Sequence, residues 1–510
     1  MIANEVRMRL RRLSTLMVLL AVAVVCWSMI ADPHSGQALI VVGHQRMLYT
    51  SETLAFGTGV LGSLILSMAS FYLVRGRTTQ DLRTGMAGVI GASAIGNARL
   101  LFSRWAGGVA YLLLLLLAVL GSSIVLHLVR GEGPLILSVY LESYFLMLMP
   151  AILFGASCAV LFDSIGWLMG RAGDVLYFFG WIGLIAVASQ LDQGNAMKLP
   201  MLFDFTGISV LMVSMRDLMN TADLSIGNSG FDASLAPLVL PPGIWTTQAW
   251  TIRVGSMLTA MLPLIPAALV FHRYAPERVR VSAGSKRRSP LAVIDGWLKP
   301  VARLLHPVAL LSLRAPGLAG EVLCELVLAL RSAPSALVAL LGIGAAAPFV
   351  AHSALPGVMV AGVACWGILV SGIAPRDAEA GMEALSLATP GGISRRYLRQ
   401  WSTCVLLALP FALPVALRWV DAEPVRALAV LVGVLALSAA AVAMGSMART
   451  GRLFLALFLF TLFVATNATN IPALDFIGFN GVATVESIAN LAKAGVVLLA
   501  AAYAWSRRTV

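Results

Sequence analysis

The sequence predicts an all-α polytopic membrane protein with 12 transmembrane helices, built as two parallel six-helix repeats with both termini cytoplasmic. Three observations carry this expectation: an apolar, charge-poor composition, basic residues that alternate sides along the chain, and a charged segment that occurs twice. Of the 510 residues, 59% are hydrophobic and 12% are charged, where a soluble domain carries roughly 25% charged residues. Mean hydropathy is +0.88. At about 20 residues per span, the chain has room for about a dozen spans. A soluble enzyme, a disordered chain and a secreted disulfide scaffold are excluded.

The chain opens on an acidic-then-basic amphipathic stretch, NEVRMRLRRL, which leads into the apolar segment 13–31. Charges before an apolar core suggest a signal peptide, but the 19-residue run is long enough to span. No small-x-small cleavage site follows it, so it reads as an uncleaved first span. Stretches 53–74, 106–129, 137–162, 175–190 and 254–271 complete the first half. Stretches 333–351, 356–373, 402–419, 425–446, 453–469 and 487–506 form the second.

Charge placement supports that count. With the N-terminus inside, 28 of the 36 basic residues face the cytoplasm and six face outside, as the positive-inside rule requires. One span more or fewer would scramble the asymmetry. The net charge of +12 therefore belongs to inner loops and does not indicate nucleic-acid binding. Cys26, Cys158, Cys324, Cys365 and Cys404 lie in or beside apolar stretches without paired spacing. They read as small buried hydrophobes, and neither a disulfide nor a metal site is expected.

The duplication is visible in the loop after the second and the eighth span. RGRTTQDLRTGMAGVIGASAIGNARLLFSRW aligns with GIAPRDAEAGMEALSLATPGGISRRYLRQW at a constant separation of 296 residues. Asp81 matches Asp377, Gly85 matches Gly381, Met86 matches Met382 and Arg99 matches Arg395; Ala92, Gly96 and Trp105 match likewise, seven identities in 25 positions. Six spans per half give both halves the same orientation. The expected organisation is a first half over 1–271, a basic cytoplasmic linker over 272–317 and a second half over 318–510. The end of the linker, with Trp297, Leu298, Leu304 and Leu305 among Lys299 and Arg303, suits a helix lying on the inner leaflet.

In each copy of the loop an aspartate and a Gly-Met pair precede a short apolar run and a turn, then arginine and tryptophan lead back into the membrane. Asp81 and Asp377 are suited to cap a helix, and Gly96, Gly391 and Gly392 to a tight reversal. The simpler explanation of the arginines and tryptophans alone is the inside rule and the aromatic belt; repetition of the whole pattern favours a docking element.

That pattern resembles the loop between the second and third spans of ABC transporter permeases of the type-two exporter family, where a short coupling helix is reached by cytosolic ATPase. The second copy, with Thr389-Pro390 and Arg395-Arg396, is the closer match; the first lacks the proline. The resemblance implies a permease of the cell (inner) membrane with ATPase-coupling residues Asp81, Gly85, Arg99, Asp377, Gly381, Thr389, Pro390, Arg395 and Arg396. It also implies partners: two cytoplasmic ABC ATPase subunits that bind ATP and Mg. The chain itself has no phosphate-loop motif, so no cofactor, metal or catalytic residue is expected in it.

Residues 191–248 form the longest outer segment, with ISVLMVSMRDLM patterned as an amphipathic helix and the stretch after it loop-like. Its five aspartates lack calcium-loop spacing and read as a solvated surface. Glu142 and Lys493 lie inside spans near the outer boundary and are candidates for the substrate path. Apolar walls suit a lipid, an amphipathic peptide or a hydrophobic natural product. The alternative is a twelve-span secondary transporter of the major facilitator kind, but that family's loop motif after span two is absent. A membrane enzyme would need converging polar residues at one face, and none are evident.

Overall fold

The computed structural model describes residues 2–11, 13–32, 36–191, 197–219, 224–271, 290–388, 392–468 and 470–509. Most of the linker's basic part, with Thr389, Pro390, Gly391, Asp192 and Asp223, lies outside them. The chain divides into two compact units, Met1–Arg287 and Arg288–Val510.

The first unit starts with α1 (Ile2–Leu10) and α2 (Leu13–Met29), then strands β1 (Gln37–Val42) and β2 (Gln45–Arg46) and helix α3 (Ser51–Val74). Two short helices, α4 (Arg77–Arg83) and α5 (Met86–Ala92), lead to α6 (Asn97–Arg130), α7 (Leu137–Ser164) and α8 (Arg171–Leu191). It closes with α9 (Ile208–Met219), β3 (Leu224–Gly230), α10 (Thr247–Thr259) and α11 (Leu264–Val270). The core is the pairing of α3 with α7. Small residues permit it: a Cβ on Gly155 would fall 1.7 Å from Ser70 Oγ, the close backbone approach by which apolar helices pack where lipid supplies no hydrophobic drive. α3 is started by Thr50, whose side chain accepts from Thr53 N, at 3.4 Å.

The second unit contains α12 (Pro290–Trp297), α13 (His306–Arg314), α14 (Gly317–Ser332), α15 (Pro334–Ala346) and α16 (Leu355–Val370). Two short helices follow again, α17 (Arg376–Glu379) and α18 (Glu383–Leu387). The unit ends with α19 (Gly392–Trp419), α20 (Pro424–Ala448), α21 (Arg452–Asn467) and α22 (Val485–Thr509). α20 packs against α22 and α19.

The protein is mostly helical and membrane-embedded in character. Among the described residues nine helices are long and apolar enough to cross a membrane. They fall on nine of the apolar stretches read from the sequence. The other three stretches fall on helices that are shorter or bent: α2, α21, and α15, which meets α14 at 103°.

The sequence reading contains no strands, and the structure adds a three-stranded antiparallel sheet in the order β2-β1-β3. Its register sets Val41 opposite Arg46 and Ser225, and Gln37 opposite Gly230. The run Ala38–Val42 is too short to span and lies buried; it satisfies its backbone by pairing with Leu224–Gly230, in the stretch that reads as loop. Search windows of membrane-helix length hide strands of six residues.

Candidate functional site

The repeated loop is built in both units as a broken helical element between two long apolar helices. In the first unit, Gly85 takes the left-handed conformation (φ 73°) and starts α5; in the second, Gly381 (φ 71°) precedes α18. A side chain at either position would be strained. The segment beyond each glycine leaves two apolar side chains in the open. Met86 is 49% and Val89 64% exposed, Met382 53% and Leu385 65%. The two pairs occupy matching positions, 296 residues apart.

Neither aspartate caps a helix. Asp81 lies within α4 and is buried, with Oδ2 2.5 Å from Arg104 Nη2 and Oδ1 3.3 Å from Arg77 Nη2. Arg104 also donates to Thr78 Oγ1 at 3.0 Å. Asp377 sits in the first turn of α17, which begins after Pro375 with no side-chain cap; its Oδ2 lies 3.6 Å from Arg396 Nε. In each unit the aspartate instead faces a cation from the next long helix, Arg104 of α6 or Arg396 of α19. Gly96 likewise is not a left-handed reversal: it precedes α6 at φ −68°. Gly392 does use positive φ, 54°.

An amphipathic helix is tied to each loop by charge. Glu5 of α1 accepts from Arg77 Nε at 3.0 Å, while Arg9 donates to the carbonyl of Val74 at 3.1 Å. In the second unit Glu321 of α14 lies 2.7 Å from Arg395 Nη2, and Glu325 accepts from Arg399 Nε at 2.7 Å. Arg396 reaches Glu383 as well, at 3.6 Å, and Arg449 reaches Glu383 at 3.3 Å. Arg99 is exposed in the first turn of α6. Thus Asp81, Gly85, Asp377, Gly381, Arg395 and Arg396 are brought into these two elements, Arg395 pairing with α14 and not with Asp377. Thr389 and Pro390 lie outside the described residues.

On the opposite side, Glu142 of α7 accepts from Trp250 Nε1 at 2.8 Å, which joins α7 to α10. Lys493 is exposed on α22 and reaches only its helix neighbour Asn490, at 3.4 Å, among the described residues. The aspartates of segment 191–248 are not uniformly solvated. Asp204 is buried and accepts from Thr206 N and Oγ1, Gly207 N, and Ser209 N and Oγ, at 2.6–3.0 Å. All five partners are donors, so this carboxylate starts α9 and is not arranged for a cation. Asp232 accepts from Ser234 Oγ and N, and these hydrogen bonds hold its carboxyl below the usual range. Among the described residues no group of three or more His, Cys, Asp or Glu is placed to hold a metal.

Three buried charge sites escaped sequence reasoning. Arg75 at the end of α3 joins Asp174 of α8, the Leu168 carbonyl and Asp163, the last at 3.7 Å. Arg253, fully buried on α10, donates to the carbonyls of Leu146 at 2.9 Å and Asp204 at 2.5 Å. In the second unit Arg426 donates to the carbonyls of Gly478 and Phe479 and pairs with Glu423 at 2.7 Å, while Asp475 accepts from Asn480, Val482 and Ala483 amides at 3.0–3.1 Å. The available signal was a charge bracketing an apolar run: Arg253 directly precedes one, and Asp163 and Asp174 bracket the gap between two. Arg75, Arg426 and Asp475 serve backbone groups at helix ends and loops, whereas Arg253 serves the Leu146 carbonyl within α7.

No protein-family model matches this chain, and no curated protein and no solved structure matches it.

Proposed function

We propose that the chain is the membrane-spanning permease subunit of an ABC exporter, with twelve spans in two duplicated six-span halves, both termini cytoplasmic, in the cell (inner) membrane. It moves a hydrophobic or amphipathic substrate and is driven by two separate ATPase subunits that carry ATP and Mg. The observation that supports this best is the twice-built broken element: a left-handed glycine, then a short segment exposing Met86 and Val89 on α5 in one unit and Met382 and Leu385, before and on α18, in the other. An exposed apolar pair on a charge-braced projection is what a driven subunit needs to dock in a partner's groove. Anchors of this kind dominate interface energy. The ion pairs to α1 and α14 would pass a push on the loop to the amphipathic helix beside it.

The test is co-purification of the tagged chain from its host, followed by ATP hydrolysis and transport in reconstituted vesicles. Replacing Met382 and Leu385 by aspartate removes two exposed anchors whose burial on docking would be worth about 1.5–3 kcal/mol each, so ATPase binding should fall by at least about tenfold with insertion unchanged. Normal ATPase binding in that variant and in its counterpart at Met86 and Val89 would refute the docking. For topology, a cysteine at Ser229 should label from outside and one at Ser285 only after permeabilisation.

A further inference from the structure

α7 carries a proline in its interior, Pro150, four residues beyond Leu146. Proline has no N–H, and its ring crowds the carbonyl four residues back, so the Leu146 carbonyl loses its helical donor. In a helix apolar enough to cross a membrane, as α7 is, such a carbonyl needs a donor from the protein because lipid offers none. Here another helix supplies it. Arg253 of α10, fully buried, gives Leu146 its Nε–H at 2.9 Å and reaches the Met147 carbonyl with Nη2 at 3.4 Å.

The same guanidinium holds a third segment. Nη1 donates to the Asp204 carbonyl at 2.5 Å and to Ser256 Oγ at 3.5 Å, and Nη2 to the Phe205 carbonyl at 3.4 Å. The five N–H groups of the fork are thereby divided between α7, α10 itself and the turn at 204–205. Asp204 turns its carboxylate to the start of α9 and its carbonyl to Arg253. The backbone of Gly207, at φ 80°, runs against the guanidinium: a Cβ there would lie 3.0 Å from Arg253 Cζ. A charge inside an apolar span is expensive to keep, and a planar fork can hold carbonyls of two elements at once. The start of α9 and the proline break in α7 therefore depend on one side chain.

We propose that α7 is hinged at Pro150 and that Arg253 is the clasp on that hinge, so that opening of α7 at the proline and release of the segment 201–211 are a single event. The clasp needs only α7, α10 and the segment before α10, all in the first unit. It does not depend on ATPase docking or transport, and either can fail without the other.

The experiment is hydrogen–deuterium exchange of the full chain in detergent, read by mass spectrometry over peptides covering 146–155 and 201–211. Arg253→Met should speed exchange in both segments by the same factor, at least about tenfold, as expected when hydrogen bonds from a charged donor are lost. Gly207→Ala pushes a Cβ against the guanidinium and alters no residue of α7 or α10; it too should speed exchange in 146–155 as well as in 201–211. Adding Pro150→Ala to either variant gives Leu146 an amide donor of its own helix. Exchange in 146–155 should then return to the parent rate while 201–211 stays fast, a non-additivity confined to one segment. A merely structural arginine predicts no such selective repair. If Arg253→Met fails to fold, Gly207→Ala with and without Pro150→Ala decides. Parent-like exchange of 146–155 in Gly207→Ala, or fast exchange there that Pro150→Ala does not restore, overturns the proposal.

Discussion

The end of α3 in the first unit and the end of α16 in the second are corresponding junctions, and they are built with opposite chemistry. Arg75 and Gly76 stand where the second unit has Ser371 and Gly372, at the same 296-residue separation. Around Arg75 the junction is ionic: Asp163 from α7, Asp174 from α8, and the Leu168 and Gly170 carbonyls from the loop between them, with Phe71 4.9 Å beneath the guanidinium. Around Ser371 it is packed by size. Gly451, between α20 and α21, comes so close that a Cβ there would lie 2.3 Å from the Ser371 carbonyl oxygen.

Loop length accounts for the difference. The α7–α8 loop runs over 165–170 and exposes carbonyls that need donors, which Arg75 supplies; the α20–α21 loop, 449–451, is too short to leave any such gap. A buried ion cluster adds little over apolar packing, but removing one of its members is severe. The second unit demonstrates the alternative within the same chain.

The largest expected effect separates the two junctions directly. Arg75→Leu takes the shared cation from two buried carboxylates, Asp163 and Asp174, and should destabilise the first unit by about 3–5 kcal/mol, whereas Ser371→Ala should stay within about 1 kcal/mol. Thermal unfolding of the purified chain checks both. Adding Asp163→Asn and Asp174→Asn to Arg75→Leu should recover much of the loss; no recovery would mean that Arg75 acts through packing alone. The next effect reverses the ranking of the units. Gly451→Ala forces a Cβ against backbone and should cost about 1–3 kcal/mol. Gly166→Ala and Gly170→Ala, with open space around them, should each cost less than about 1 kcal/mol. Comparable melting temperatures for the three variants would break the comparison.

A third measurement sharpens the contrast at the two broken helical elements. Asp81 is buried between two arginines, so Asp81→Asn removes the countercharge of buried Arg104 and should cost about 2–4 kcal/mol. The Asp377 side chain is 24% exposed and Arg396 keeps Glu383, so Asp377→Asn should cost less than about 1 kcal/mol. The second element is thus the one that can be perturbed for coupling assays without unfolding the protein. The smallest effect is on pH. The hydrogen bond from Arg426, helped by His352, holds the Glu423 carboxyl below its ordinary value. A lowered folded-state pKa contributes stability above the unfolded value of about 4.3 and loses it as pH falls through the folded one. The melting temperature should therefore fall slightly more on acidification below about pH 4 in the parent than in Glu423→Gln. Equal slopes would show that the pair contributes nothing.

The helices were legible because apolar runs and charge asymmetry act over windows of many residues. Each of the twelve stretches coincides with a helix, and the Gly85 and Gly381 positions start their helices. What stayed hidden depends on contacts between distant segments. No local pattern pairs Asp81 with Arg104 in place of a backbone amide, and the matching arginine of the second unit, Arg396, sits at a position equivalent to Leu100. The repeat was visible in the acids and glycines but not in the cations that answer them. The exposed pairs Met86, Val89 and Met382, Leu385 were half visible: the methionines matched as identities, while valine and leucine matched only in character.

The small sheet sets an order of events during synthesis. β1 cannot complete its pairing until β3 has emerged about 190 residues later, after α3 to α9 have been made. At about 5–20 residues per second of translation, the apolar edge of β1 waits on the order of 10–40 s with only β2 beside it. In that interval it is a template for a wrong strand, and a cell that slows translation across 50–220 lengthens the exposure. Closure of β1 on β3 is then the moment at which that edge of β1 is covered.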